Sequence, residues 1–176
     1  MTREVWPGTA RRESDVMVGL MSGTSLDGIS AAVVRFREDS HGGIAPDLLA
    51  FVQCAYDAPF RLRLATAMTG VAPGEYARLD FELGARLSDA AVAVMAEAGV
   101  ARADIAAIAS HGHTVWHDPP RATWQFGQPA VIAERTGTPR GTCGGMFEMR
   151  RAVDDIPERF SVERDGVRLL VMGTVE

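Results

Sequence analysis

At 176 residues and 47% hydrophobic composition, the chain suits one globular core and is short for two. A formal net charge of −5 leaves no basic stripe for a phosphate backbone or an anionic bilayer, so neither nucleic acid nor membrane is expected as a partner. Lysine is absent altogether, which excludes the lysine-containing phosphate loop and any lysine Schiff base.

Residues 1–15 carry an arginine pair with no apolar run behind it and are expected to form a disordered leader. VMVGLM (16–21) and ISAAVVRF (29–36) read as strands, and SGTSLDG between them supplies turn chemistry. A third strand is expected over LLAFVQCAY (48–56), with the stretch from His41 to Pro46 as the break before it. Phe60 to Thr69 suits a short helix, closed by Gly70 and by Pro73 and Gly74. In the longer helix that follows, Leu79, Leu83, Leu87, Ala91, Val94 and Ala98 recur at three- and four-residue steps and line one apolar face, and Gly99 stops it. IAAIAS (105–110) reads as a strand entering the polar cluster SHGHTVWH, and TWQFG (123–127) as another after the Pro119 and Pro120 turn. PAVIAERT (129–136) is a helix with proline in its first turn and Gly137 at its end. Trp116 and Trp124 are expected in the core.

Beyond Gly137 no period is sustained until two strands flank Asp165 and Gly166, a hairpin signal. The fold class is therefore mixed α/β, a sheet that opens with a β-hairpin and carries helices packed on it. The organisation expected is a lobe over 16–138 and a divergent tail over 139–176. Cys54 and Cys143 stand far apart without disulfide-type spacing, which fits a reducing cytoplasm.

Two clusters carry chemistry. The turn Ser22-Gly23-Thr24-Ser25-Leu26-Asp27-Gly28 offers bare backbone N–H groups and hydroxyl donors, which together can hold phosphate without a lysine. Asp27 adds a carboxylate able to hold Mg²⁺ directly or through water. The same residue types also make an ordinary turn, and composition alone does not choose between the two. The histidine cluster is open in a similar way: on a regular strand His111, His113 and His117 would share a face, as a Zn²⁺-dependent hydrolase would need. Against that, Gly112 disfavours a regular strand and no acidic residue stands at a recognisable metal spacing.

The string GLMSGTSLDGISAAVV resembles the N-terminal signature of the anhydro-N-acetylmuramic acid kinases, members of the actin, Hsp70 and hexokinase superfamily. IASHGHTVWH is similar to that family's second signature, with His113 in place of a glutamine, and TWQFGQPAVIAERTG is similar to the stretch that follows it. The resemblance implies one lobe of an actin/Hsp70/hexokinase-like (ribonuclease H-like) kinase, whose strand-turn-strand hairpin grips the nucleotide. It assigns the phosphates to Gly23, Thr24, Ser25, Leu26, Asp27, Gly28, Ile29 and Ser30, the last standing where the family usually has aspartate. It assigns the amino-sugar cleft to Ser110, His111, Gly112, Thr114, Gln125, Gly127 and Glu134. The implied activity is an ATP- and Mg²⁺-dependent phosphotransferase of cell-wall recycling, turning 1,6-anhydro-N-acetylmuramic acid and water into N-acetylmuramate 6-phosphate.

The family's water-activating aspartate, a general base, falls on Cys143, so no catalytic residue is assigned. Asp154, Asp155 and Asp165 are not expected to replace it, since the first two suit a solvated loop and the third a turn. The family's second lobe is not recognisable after residue 138, a change of character such as a frameshift or fusion would leave. Weak binding with little or no turnover is expected without a closing lobe, a non-catalytic remnant being the alternative reading. Apolar surface left uncovered would favour a homodimer.

Overall fold

The computed structural model describes residues 14–38, 40, 43–138, 142–144, 159–164 and 167–172. Strand β1 (Ser14–Ser22) turns back into β2 (Gly28–Glu38), and β3 (Ile44–Ala55) adds antiparallel to β2. Helices α1 (Ala58–Ala67) and α2 (Pro73–Glu97) then carry the chain over the sheet. Strand β4 (Ile105–Asp118) returns parallel to the free side of β1, and β5 (Ala122–Phe126) folds back antiparallel on β4. After α3 (Pro129–Thr136), the short β6 (Thr142–Gly144) pairs parallel with β4. The sheet runs β3-β2-β1-β4-β5 with β6 also on β4, so it is mixed and opens with a hairpin, as the sequence predicts. Strands β7 (Arg159–Arg164) and β8 (Val167–Met172) form a separate antiparallel pair. They flank Asp165 and Gly166, which lie outside the described residues together with Asp154 and Asp155.

The core forms where α2 crosses the first three strands. Leu79, Leu83, Leu87, Ala91 and Val94 are fully buried against Val18, Leu20, Ile29, Ala31 and Val33, and Ala98 packs at the margin. Each leucine so buried stabilises the fold by about 1.5–3 kcal/mol, and with 25 residues α2 spans about 37 Å, enough to cover the sheet. The opposite face of β2 is buried too, Ala32 and Val34 packing with Leu48 beside Phe36 and Phe51. That two-sided burial explains why ISAAVV reads as a continuous apolar run instead of an alternation. Proline opens α2 and α3, and Gly137, at φ 60°, ends α3 in the left-handed conformation that favours glycine.

Four expectations are corrected. β1 begins at Ser14, inside the segment expected as leader. β3 begins at Ile44 and runs through Pro46, because β3 is an edge strand and the missing N–H costs no ladder bond on its open side. α1 starts at Ala58, where Asp57 caps it by accepting the Phe60 N–H at 2.8 Å and Pro59 fits the first turn. β4 continues through the histidine cluster to Asp118, and beyond His113 it pairs only with β5, so Trp116 and its cross-strand partner Trp124 are 57% and 47% exposed and not core. Trp124 rests on Tyr76 and Phe126, ring centroids 4.9 and 5.2 Å away. Among the described residues no helix is long and apolar enough to cross a membrane.

Candidate functional site

The β1 to β2 ladder closes at the Ser22 and Ile29 pair, leaving Gly23 to Asp27 as a loop at the end of the sheet. Its shape rests on few bonds. The Leu26 N–H donates to the Gly23 carbonyl at 3.1 Å, and Ser25 Oγ donates to Asp27 Oδ1 at 2.9 Å. Leu26 takes φ 58°, which costs a non-glycine residue about 1–2 kcal/mol. Its side chain recovers part of that cost by packing against the main core. Gly28 holds φ 155° with its Cα against β3, and a Cβ there would run into the Cys54 carbonyl oxygen, so no other residue fits.

What the loop displays is suited to an anion. Thr24, Ser25 and Asp27 are exposed, and among the described residues the N–H groups of Thr24 and Ser25 donate to no protein acceptor. Free amides and hydroxyls in one turn are the donor set phosphate oxygens need, and Asp27 beside them is the kind of ligand a hydrated Mg²⁺ takes. The two last positions expected here differ: Ile29 and Ser30 lie within β2, and the Ile29 side chain is buried in the main core.

Beneath the loop lies a buried hydrogen-bonded chain. Tyr56 Oη donates to Ser22 Oγ at 2.6 Å, and Ser22 Oγ meets His113 Nδ1 at 2.9 Å. Burial holds the His113 imidazole below its usual pKa, opposed by the backbone of Ser22 and assisted by the neighbouring His111. Burial likewise pushes the Tyr56 phenol up to about 12, against the Ser22 bond that works the other way. Both groups are therefore neutral at physiological pH. A serine beside a histidine suggests a nucleophile, but Ser22 is 2% exposed and engaged on two sides, so no substrate reaches it.

Next to this chain, β4 bends. Gly112 takes φ 67°, a Cβ there would meet the Phe126 carbonyl oxygen of β5, and its N–H turns back to Ser110 Oγ at 3.2 Å. The ladder between β1 and β4 shifts register across this point, as at a β-bulge. His111 Nε2 accepts from Gln125 Nε2 at 3.1 Å, and Thr114 stands opposite Gln125 in the ladder. Gly127 is fixed from below, its N–H donating to Asp80 Oδ1 of α2 at 2.8 Å, while Gln128 Nε2 donates to Asp80 Oδ2 at 3.3 Å. Ser110, His111, Gly112 and Thr114 of β4 are thus brought beside Gln125 of β5 and Gly127, which follows it. Glu134 stands exposed on α3, with no hydrogen bond to them among the described residues.

The three histidines do not converge. The breaks in strand register at Gly112 and after Thr114 turn them apart: His111 faces Gln125, His113 faces Ser22, and His117 bonds Thr123 at 3.0 Å. Among the described residues no three histidine, cysteine or carboxylate side chains are grouped to hold a metal ion. The shared histidine face that a regular strand would have made does not form. Sequence inspection also missed Tyr56 and Asp80, 34 and 47 residues from the groups they bond, because neither carries a local signal. It missed β6 as well, whose parallel register sets Cys143 opposite Ala109, one step from Ser110.

The family profile for anhydro-N-acetylmuramic acid kinase matches residues 15–142, ending one position before Cys143. A protein of that name from Xanthomonas campestris pv. campestris is 44% identical over 130 residues, 70% of this chain and 34% of the relative. Its namesake in Chromohalobacter salexigens is 38% identical over 137 residues, 76% of this chain and 35% of the relative. One from Caldanaerobacter subterraneus subsp. tengcongensis is 36% identical over 138 residues, 72% of this chain and 34% of the relative. The chain thus spans about a third of the length of the curated relatives it matches. With the profile covering most of its residues and both site segments inside the match, the chain belongs to the anhydro-N-acetylmuramic acid kinase family.

Proposed function

We propose that this chain forms the nucleotide- and sugar-binding lobe of an ATP-dependent kinase that converts 1,6-anhydro-N-acetylmuramic acid and water to N-acetylmuramate 6-phosphate, a step in peptidoglycan recycling in the cytoplasm. The observation that carries the reading is the exposed loop with unspent amides at Thr24 and Ser25, held on a glycine that admits no side chain. In this reading the loop amides and hydroxyls hold the phosphates, and Asp27 holds Mg²⁺ through water. Bound Mg²⁺ supplies charge neutralisation on the transferring phosphoryl group.

The sugar is assigned to the bent segment of β4 and the end of β5. The His111 ring holds the Gln125 side-chain amide there, and the amide oxygen is an acceptor of the kind a sugar hydroxyl requires. Position 143 is cysteine where the family resemblance expects the water-activating aspartate, so ring opening by a base at this position is not part of the proposal. Binding is accordingly the property to test. A fluorescent ATP analogue should bind the full chain with Mg²⁺ and be displaced by ATP, and Asp27→Ala should weaken it by roughly tenfold. A parent chain that shows no displaceable binding removes the reading; formation of a sugar phosphate would show that another group supplies the base.

A further inference from the structure

The loop is held at both ends by groups that its own sequence does not contain. Tyr56 spans its base, its hydroxyl donating to Ser22 at the loop's start and its backbone N–H donating to the Asp27 carbonyl at its end, 2.6 and 3.4 Å. From the other side of β1, His113 of β4 meets Ser22 at 2.9 Å, directly across the register pair Ser22 and His113. Inside the loop a single backbone bond, Leu26 to Gly23, maintains the turn. So few internal restraints cannot by themselves keep the Thr24 and Ser25 amides pointing one way.

We propose that His113 is a positioning residue that, through Ser22 and Tyr56, fastens the phosphate loop to β4, the strand that carries Ser110 and His111. This rests on the nucleotide reading above and adds to it a link between the two ligand segments. Tyr56 donates to Ser22 Oγ, Ser22 Oγ bonds His113 Nδ1, and His113 Nε2 is a buried atom with no partner among the described residues. The other ionisable groups facing the chain are His111 on β4, Asp27 on the loop and Arg86 on α2. An imidazolium would have to keep a charged Nε2–H in that buried position without a partner, so protonation weakens the fastening. Glutamine at 113 can bond Ser22 through its amide without titrating.

The test is amide hydrogen exchange at Leu26 and Tyr56 in the full chain, with Ala31 and Val33 of β2 as core controls. His113→Ala should speed exchange at Leu26 and Tyr56 by roughly tenfold while the controls stay within about twofold, the effect of losing one buried hydrogen bond. His113→Gln should restore the parent protection factors, each taken relative to the intrinsic exchange rate at that pH, and keep them from pH 7 to pH 5, where the parent loop loses protection. Tyr56→Phe removes one link with little loss of packing and should also accelerate the loop, which keeps the test open if the alanine variant does not fold. Parent-like exchange in both His113→Ala and Tyr56→Phe, or a glutamine variant as fast as alanine, overturns the proposal. If the parent binds no nucleotide while this exchange pattern holds, the ligand reading fails and the fastening stands; if nucleotide binds and His113→Ala leaves its affinity unchanged, the positioning role fails.

Discussion

Gly28→Ala is the sharpest perturbation of the phosphate loop. Residue 28 combines φ 155°, a region L-residues rarely enter, with a Cβ direction that runs into the Cys54 carbonyl oxygen and within 2.9 Å of the Ala55 Cα. The backbone conformation alone costs alanine about 1–3 kcal/mol. The clash adds about 1–3 kcal/mol, because the neighbour is the backbone of a paired strand and cannot rotate away. The reduced entropy of the unfolded alanine chain returns at most about 1 kcal/mol. A net loss of about 2–4 kcal/mol is expected. Urea denaturation reads this directly: with a slope of about 1–3 kcal/mol per molar, the midpoint should fall by roughly 1–2 M at an unchanged slope. Nucleotide affinity should fall as well, since strain relieved by moving the start of β2 displaces Asp27. A midpoint within about 0.3 M of the parent would refute the argument that this position requires glycine.

Three further outcomes follow from the same geometry. Gly84→Ala should destabilise by about 1–2 kcal/mol in a thermal melt despite the better helix propensity of alanine, because its Cβ would stand 2.9 Å from the Gln128 carbonyl where α2 meets the start of α3. Asp80→Ala should cost about 1–3 kcal/mol and weaken sugar binding more than nucleotide binding, since it frees the Gly127 N–H next to Gln125, to be read by denaturation and ligand titration side by side. Burial holds His113 below its usual pKa, so the unfolded chain takes up a proton near pH 6.5 that the folded chain refuses until lower pH. Stability should therefore be flat in this respect above pH 6.5 and decline as the pH drops below it, and His113→Gln should remove that part of the decline in urea titrations between pH 7 and pH 5.

How far the sequence revealed the molecule depends on how local each signal is. The apolar face of α2 repeats within one helix, and every position from Leu79 to Val94 in that repeat proved buried. The proline and glycine bounds of α3 are likewise local and were legible. Pro46 misled because a breaker is judged against its neighbours, whereas an edge strand is made by its partner, while Gly112 did mark the irregularity in β4. The site divides in the same way. Glycines and hydroxyls in SGTSLDG mark the loop, but the groups that hold it, Tyr56 and His113, join Ser22 across 34 and 91 residues. The pairing of β1 with β4 brings His113 within reach, and that of β2 with β3 brings Tyr56.

The amides of Thr24 and Ser25 are the direct witnesses to phosphate binding. In a ¹⁵N-labelled sample of the full chain, adding Mg²⁺ and a non-hydrolysable ATP analogue should shift the Thr24 and Ser25 amide resonances saturably and downfield, with Leu26 following because its N–H shapes the turn. Resonances that stay in place while the nucleotide binds elsewhere, or does not bind at all, would contradict the claim that main-chain donors of this hairpin receive the phosphates.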